Sequence, residues 1–274
     1  EPVTWQNIVW KSRLPQALTA LVAGAGLAIS GLQMQTVFRN PLAGPSVLGI
    51  SSGASMGVAF VVLLSGSLGG VALSKLGFMG EIALSIAAVI GSLSVMALIV
   101  YVSQKVKGNV TLLIIGVMIG YVANAVIGVL KFFSVEEDIR AYVIWGLGSF
   151  SRVSGNQMML FVAIMAILIP LSFLLIKTLN LMLLGDGYAR NLGLNIKRAR
   201  LLVITSAGVL TAIVTAYCGP VIFLGLAVPH LCRAIFQTSD HRVLMPAVLF
   251  RRGFAGQFGD CPNRCSGSGL RSIP

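Results

Sequence analysis

The feature that most constrains this chain is the recurrence of apolar runs long enough to cross lipid. A helix spanning about 30 Å of hydrocarbon at about 1.5 Å per residue needs about 20 apolar residues. Runs of that order extend from Leu14 to Val37, Val47 to Leu64, Ile82 to Val102, Val110 to Leu130, Met158 to Ile176 and Leu201 to Tyr217. A shorter seventh covers Val221 to Leu231, between Gly219-Pro220 and Pro229-His230, and an eighth begins at Val243 and stops at Phe250. A Gly/Ser-rich connector, 65–80, separates the second run from the third. The pattern predicts an all-α, polytopic transmembrane bundle lying in a lipid bilayer.

Composition agrees. The chain has 274 residues, 56% of them hydrophobic and 10% charged, where soluble domains carry roughly 25% charged residues. The net charge of +12 does not imply nucleic acid, because no basic stripe carries the interleaved aromatics that stack bases. The basic residues sit between the apolar runs instead. With the segment before Leu14 outside, the inner loops hold Arg39, Lys105, Lys107, Lys177, Arg190, Lys197, Arg198, Arg200, Arg233 and Arg242. The outer loops hold fewer: Lys11, Arg13, Lys75, Lys131, Arg140 and Arg152. That bias favours this orientation, since Lys and Arg hold loops on the cytoplasmic side.

Enzymatic chemistry has little to stand on. Cys218, Cys232, Cys261 and Cys265 show no zinc spacing with the two histidines, His230 and His241. Those histidines could be pictured as metal ligands or an acid–base pair, but a histidine beside a helix-breaking proline, satisfying backbone groups at the inner interface, is the better reading. No catalytic residue, metal site or cofactor is expected. No run carries a central Asp or Glu of the kind that ion-coupled transporters use, and no G-x-x-x-x-G-K-[ST] phosphate loop is present. Energy for transport is therefore expected from another protein. An ion-coupled secondary transporter or channel of unrelated fold is the alternative, and an integral membrane enzyme the third.

Three segments carry more specific information. In the first, Arg39-Asn40-Pro41 breaks the first run, because proline lacks an amide hydrogen and restricts the residue before it. Gly44-Pro45 prolongs the break, and the chain re-enters through the Gly/Ser-rich stretch Gly49 to Gly57. Irregular backbone at membrane depth needs protein or a water-filled cavity to satisfy it, so this break is either a simple cytoplasmic turn or the wall of a pathway. In the second, LGDGYARNLGLNIKRAR from Leu184 to Arg200, two short helices joined at Gly193 are expected, with Asp186 and Arg190 able to pair on one face. Composition alone leaves open a basic loop that merely sets topology. The third runs from Gly219 to Arg242. Gly116 and Gly120 form a G-x-x-x-G, read as helix packing.

These segments together resemble the FecCD family of permeases, the membrane subunits of ABC importers for iron–siderophore, haem and cobalamin. The resemblance rests on Arg13-Leu14-Pro15, Gly24 to Gly31, Met34-Gln35, Arg39 to Pro45, Leu48-Gly49 and Gly53-Ala54. It continues through Gly185, Asp186, Ala189, Arg190, Leu192 and Gly193, then Gly219-Pro220, Phe223, Gly225-Leu226, Pro229-His230, Arg233 and Asp240-His241-Arg242. Gln16 stands where the family often has arginine, and Cys218 where it has alanine.

The resemblance implies a type II importer permease in a bacterial inner membrane, with about eight of the family's ten spans present and the eighth only in part. It implies that Gly185, Asp186, Ala189, Arg190, Leu192 and Gly193 form the coupling helices that dock on ABC ATPase subunits. Gln35, Arg39, Asn40, Pro41, Pro45, Gly49, Gly53, Gly219, Pro220, Pro229 and His230 would shape the translocation pathway. A periplasmic substrate-binding protein would deliver the cargo, with Arg140 and Arg152 as docking charges by location, and two copies would form a homodimer. Residues 1–250 are expected to form the permease domain, with a first span expected upstream of Glu1. After Phe250 the pattern collapses into a polar tail, 251–274, rich in Arg, Gly, Ser and Cys, for which a shifted reading frame near Leu249 to Arg251 is the expectation.

Overall fold

Small residues and scattered hydroxyls in the first apolar run make it a poor lipid-facing surface and a good packing surface. It forms helix α1 (Leu14–Phe38), in which every residue from Ala23 to Phe38 is buried. The structure, a computed structural model, describes residues 9–67, 78–106, 108–153 and 155–250. The expectations for Lys75 and most of its connector, for Lys107, for Cys261 and Cys265, and for the tail lie outside those residues.

After α1 come α2 (Ile50–Ser67), α3 (Phe78–Lys105), α4 (Asn109–Phe132) and the short α5 (Glu136–Gly146). Then follow α6 (Gly155–Phe173), α7 (Ile176–Leu183), α8 (Asp186–Asn191), α9 (Ile196–Cys218), α10 (Leu224–Phe236) and α11 (His241–Phe250). The described residues form helices and connections without strands. Two hubs organise them. α1 packs against α6, α9, α10 and α11, and α2 packs against α3, α4, α5 and α9.

Among the described residues four helices, Leu14–Phe38, Gly80–Lys105, Val110–Phe132 and Ile196–Cys218, are long and apolar enough to cross a bilayer. The fifth expected span is bent by 45° between α6 and α7. The second and seventh are shorter helices because each is preceded by irregular chain. α2 starts only after a 3-10 turn at Pro45–Leu48, and α10 only after Gly219 to Phe223. The expected stop at Pro229-His230 does not occur: α10 runs through Pro229 to Phe236. Proline removes one intrahelical bond, to the carbonyl four residues back. That carbonyl belongs to Gly225, and it packs against Gly31 of α1, where an added Cβ would overlap it. A glycine in each helix lets the bundle close over the gap left by the proline.

The loops sort into the two ends expected from the basic residues. At one end Gln157 bonds Glu81 at 3.2 Å and the Ser149 amide bonds the Cys218 carbonyl at 2.7 Å. At the other, Arg39 meets Asp186, and Asn180 bonds both Asp240 and His241.

Candidate functional site

The break after α1 holds itself together locally. Arg39 takes a left-handed conformation, φ 48° and ψ 37°, and the amides of Arg39 and Asn40 return to Thr36 and Gln35. The Asn40 side chain accepts from the Leu42 amide at 2.9 Å, and Ala43, Val47 and Gly49 donate to Asn40, Gly44 and Ser46. With Pro41 and Pro45 lacking amides, the described turns use most of the donors present, as buried irregular backbone requires. Gly49 ends the segment at φ 74°, where a Cβ would stand 3.0 Å from the Gly116 carbonyl oxygen. Only glycine satisfies both conditions at low cost. Counting from Asn109, Gly116 lies about 10 Å along α4. The chain therefore turns back beside α4, about two helical turns in from its start.

A second irregular stretch, Gly219 to Phe223, leads into α10, whose first turn meets the first break. Pro45 packs on Gly225, and Gln35, buried in α1, donates to the Leu226 carbonyl at 3.3 Å. Gly219, at φ 80°, lies against Gly148 and Trp145. Between these two irregular stretches and α4 lies a cavity of about 410 Å³. Ser46, Val47, Gly49, Ser51, Ser52 and Ser55 form one wall; Gly116, Val117, Gly120, Tyr121 and Asn124 form another; Tyr142 of α5, Pro220 and Ile222 complete it. Its polar groups are hydroxyls and one amide, and no lining residue carries a full charge at neutral pH. Tyr142 is hydrogen-bonded to Ser55, and the Lys131 ammonium lies 4.7 Å from its ring centroid.

Of the pathway residues expected from sequence, Gly49 and Pro220 line this cavity, while Gln35, Pro45, Gly53 and Gly219 support its walls from behind. Asn40 and Pro41 sit at the turn itself, at the end of the bundle that holds Asp186. His230, beside Pro229, is exposed; the buried histidine is His241, and its ring meets side chains rather than backbone groups. The buried His241 ring faces Thr36 at 2.8 Å through Nε2 and Asn180 Oδ1 at 2.7 Å through Nδ1, which assigns the Nδ1–H tautomer. Sequence reading missed Ser46, Ser51, Ser52, Ser55, Tyr121, Asn124 and Tyr142. The available signal was helical spacing: Gly116, Gly120 and Asn124 share one face of α4, and Ser51 and Ser55 one face of α2. The G-x-x-x-G is a packing surface for Leu48 and a cavity wall at once.

At the inner end, the expected pair of short helices is one six-residue helix, α8, followed by the first turn of α9. Gly193 turns the chain at φ 85°, and Asn195 caps α9 by accepting from the Arg198 amide at 3.2 Å, which starts a long helix there. Asp186 does not pair with Arg190; it pairs with Arg39. Ala189 faces the protein, whereas Gly187, Tyr188, Arg190, Asn191 and Leu192 are exposed or partly so, Tyr188 by 72% and Leu192 by 62%. A helix end this small, presenting an aromatic, a leucine and a cation, suits insertion into a groove of a partner.

At the outer end, Arg140 of α5 is exposed. Arg152 is half-buried; desolvation pulls its guanidinium below the usual arginine range and the nearby Glu81 carboxylate partly offsets this. Asp138, in the first turn of α5, is pushed above the usual carboxylate range by burial and by Glu137.

Residues 3–256 match the profile of the FecCD transport family. A vitamin B12 import system permease protein, BtuC of Photorhabdus laumondii, is 35% identical over 264 residues, covering 96% of this chain and 75% of the relative. The hemin transport system permease protein HmuU of Yersinia pestis is 36% identical over 243 residues, covering 88% and 69%. A solved structure described as an inward-facing conformation of a metal-chelate type ABC transporter superposes with a TM-score of 0.79 at 30% identity, covering 91% of this chain and 76% of that one.

Proposed function

This chain belongs to the FecCD transport family, and from that membership we propose how it works as the permease of an ABC importer. It is a transport subunit and not an enzyme, which removes the ion-coupled and membrane-enzyme alternatives. Its cargo is proposed to be a bulky metal chelate: a ferric siderophore, haem or cobalamin. Vitamin B12 and hemin appear in the names of the relatives above. The lining of hydroxyls and a single amide supports passage of a large, partly apolar solute without tight capture.

The observation that carries the mechanism is the α8 hairpin. It stands at the basic end, its exposed tip free for a partner and its base joined to the segment that walls the cavity. ATPase subunits are proposed to grip Tyr188, Arg190 and Leu192, with Gly185, Asp186, Ala189 and Gly193 shaping the hairpin. ATP-driven movement there would switch the cavity between outward and inward access, a rigid-body transition. A periplasmic binding protein is proposed to dock at the outer end on Arg140 and Arg152. A second copy is proposed to pack along α4, whose Val110, Ile114, Val117, Tyr121 and Val122 are exposed beside the open side of the cavity. The bilayer would be a bacterial inner membrane.

The test is co-purification with uptake. A Tyr188→Ala, Arg190→Ala, Leu192→Ala triple variant should lose ATPase subunits from the detergent-extracted complex by about tenfold or more, as removal of a central aromatic anchor predicts. Uptake of cyanocobalamin, haemin and a ferric hydroxamate, measured in a deletion strain, should fail in the same variant. Undiminished ATPase recovery would refute the docking assignment, and normal uptake of every cargo in the deletion strain would refute the importer role.

A further inference from the structure

We propose that Arg39 is a positioning residue that ties the ATPase-docking helix to the cavity wall, so that movement of α8 is delivered to residues 39–49. The proposal rests on the importer reading above and deepens it. Arg39 is both the cap of α1 and the first residue of the re-entrant segment. Its Nη2 donates to Asp186 and, at 3.4 Å, to the Met182 carbonyl. One guanidinium therefore joins the end of α7 and the start of α8, 147 residues away in sequence. A planar fork with several fixed donors can do this, and a lysine ammonium does so less well.

The connection is not a stability device. The two side chains are 44% and 42% exposed, and exposed ion pairs add little to folding. What it supplies is geometry. Asp186 is the first residue of a helix whose other face is exposed to a partner. Beneath it the largely buried Arg200 of α9 lies within electrostatic reach of both Asp186 and Arg39. Its Nε has no hydrogen-bond partner among the described residues. That second cation keeps the Asp186 carboxylate drawn inward. On the far side, the segment from Arg39 to Gly49 is short and stiffened by Pro41, Pro45 and its own turns. It ends on Ser46, Val47 and Gly49, which line the cavity, and on Pro45, which packs against Gly225. A displacement of α8 thus reaches the cavity through one ion pair and one stiff loop, a contiguous physical path.

The experiment compares wild type with Arg39→Ala, Arg39→Lys, Asp186→Asn and the exchanged pair Arg39→Asp with Asp186→Arg, all in the full chain. In nanodiscs without partners, amide exchange at Ala43, Val47 and Gly49 should quicken about fivefold or more in Arg39→Ala and Asp186→Asn, since released segments open more often. Arg39→Lys should restore part of the protection, and the exchanged pair less than that, because it sets a second cation beside Arg200. In proteoliposomes with the ATPase and binding protein, ATP hydrolysed per molecule moved, tested with cyanocobalamin, haemin and a ferric hydroxamate, should rise about tenfold in Arg39→Ala, a coupling loss of ordinary size. Unchanged exchange in both single variants overturns the proposal, as does Arg39→Lys no better protected than Arg39→Ala. A wild type that moves none of the three probes on ATP counts against the importer reading, while the exchange arm still decides the role of Arg39.

Discussion

Helices α1 and α4 are both apolar spans, yet they are used in opposite ways. In α1, 72% of the most apolar 18-residue window is buried inside the protein; in α4 the figure is 22%. The more apolar helix is the more exposed one. In water that ordering would be reversed. In a bilayer the lipid tails solvate leucine and valine as well as another helix does, so apolar character gives no reason to be inside. Polar groups and small residues do. The α1 helix buries Ser30, Gln33, Gln35 and Thr36, and the first of these bonds the Ala207 carbonyl and Thr211 of α9, each at 2.8 Å.

The contrast can be broken most severely with glycine. A leucine at Gly31 would overlap the Gly225 backbone. Gly31→Leu is expected to cost about 3 kcal/mol or more, the upper range for overpacking, and to appear as loss of monodisperse protein after extraction. Gly128 of α4 has nothing within 4 Å of an added Cβ. Gly128→Leu should therefore leave the fold intact, within about 0.5 kcal/mol. A second copy seated on α4 would make it lower the dimer fraction instead, which cross-linking would report.

A charge divides α4 itself. Met118 faces an apolar recess with Ile115, Ile119 and Val122, whereas Tyr121 lines the polar cavity. Met118→Lys is expected to disfavour insertion by about 2.5–3.5 kcal/mol, the cost of lysine at a helix centre. Tyr121→Lys should insert more readily because its ammonium reaches the cavity. Equal insertion of the two, read by protease protection, would mean that the cavity does not hydrate that face.

A smaller loss is expected at the hydrogen bonds of α1. Thr36→Val leaves His241 Nε2 without its partner and should cost about 1 kcal/mol, read as earlier thermal unfolding in detergent. Val122→Ala, at an exposed position of α4, touches no such bond and should change less. A larger loss at Val122 than at Thr36 would reverse the assignment of which helix the polar network holds in place.

Much of this architecture was legible beforehand. Apolar runs, prolines and basic loops are local features, and they predicted most of the spans, which loops share an end, the break at Arg39-Asn40-Pro41 and the hairpin at Gly185 to Gly193. Pro229 misled because a proline's effect depends on whether the stranded carbonyl finds room, and here Gly31 provides it. Asp186 misled because Arg190 is its neighbour in sequence, while Arg39 is its neighbour in space. The cavity serines were passed over because hydroxyls are common in membrane helices, and nothing in a single span distinguishes one that faces a cavity from one bonded to its own backbone.

The sequence alone determined that the chain is threaded through lipid, where it turns and which end is basic, because each of these follows from transfer energies and backbone rules that act within one segment. Only the tertiary structure decided that the break at 39–49 and the first turn of α10 meet beside α1, that His241 serves Thr36, and that Arg39 holds Asp186. The bilayer does not discriminate between apolar faces. Which segments touch is settled by small residues that admit a neighbouring backbone and by polar groups that must find each other across long stretches of chain.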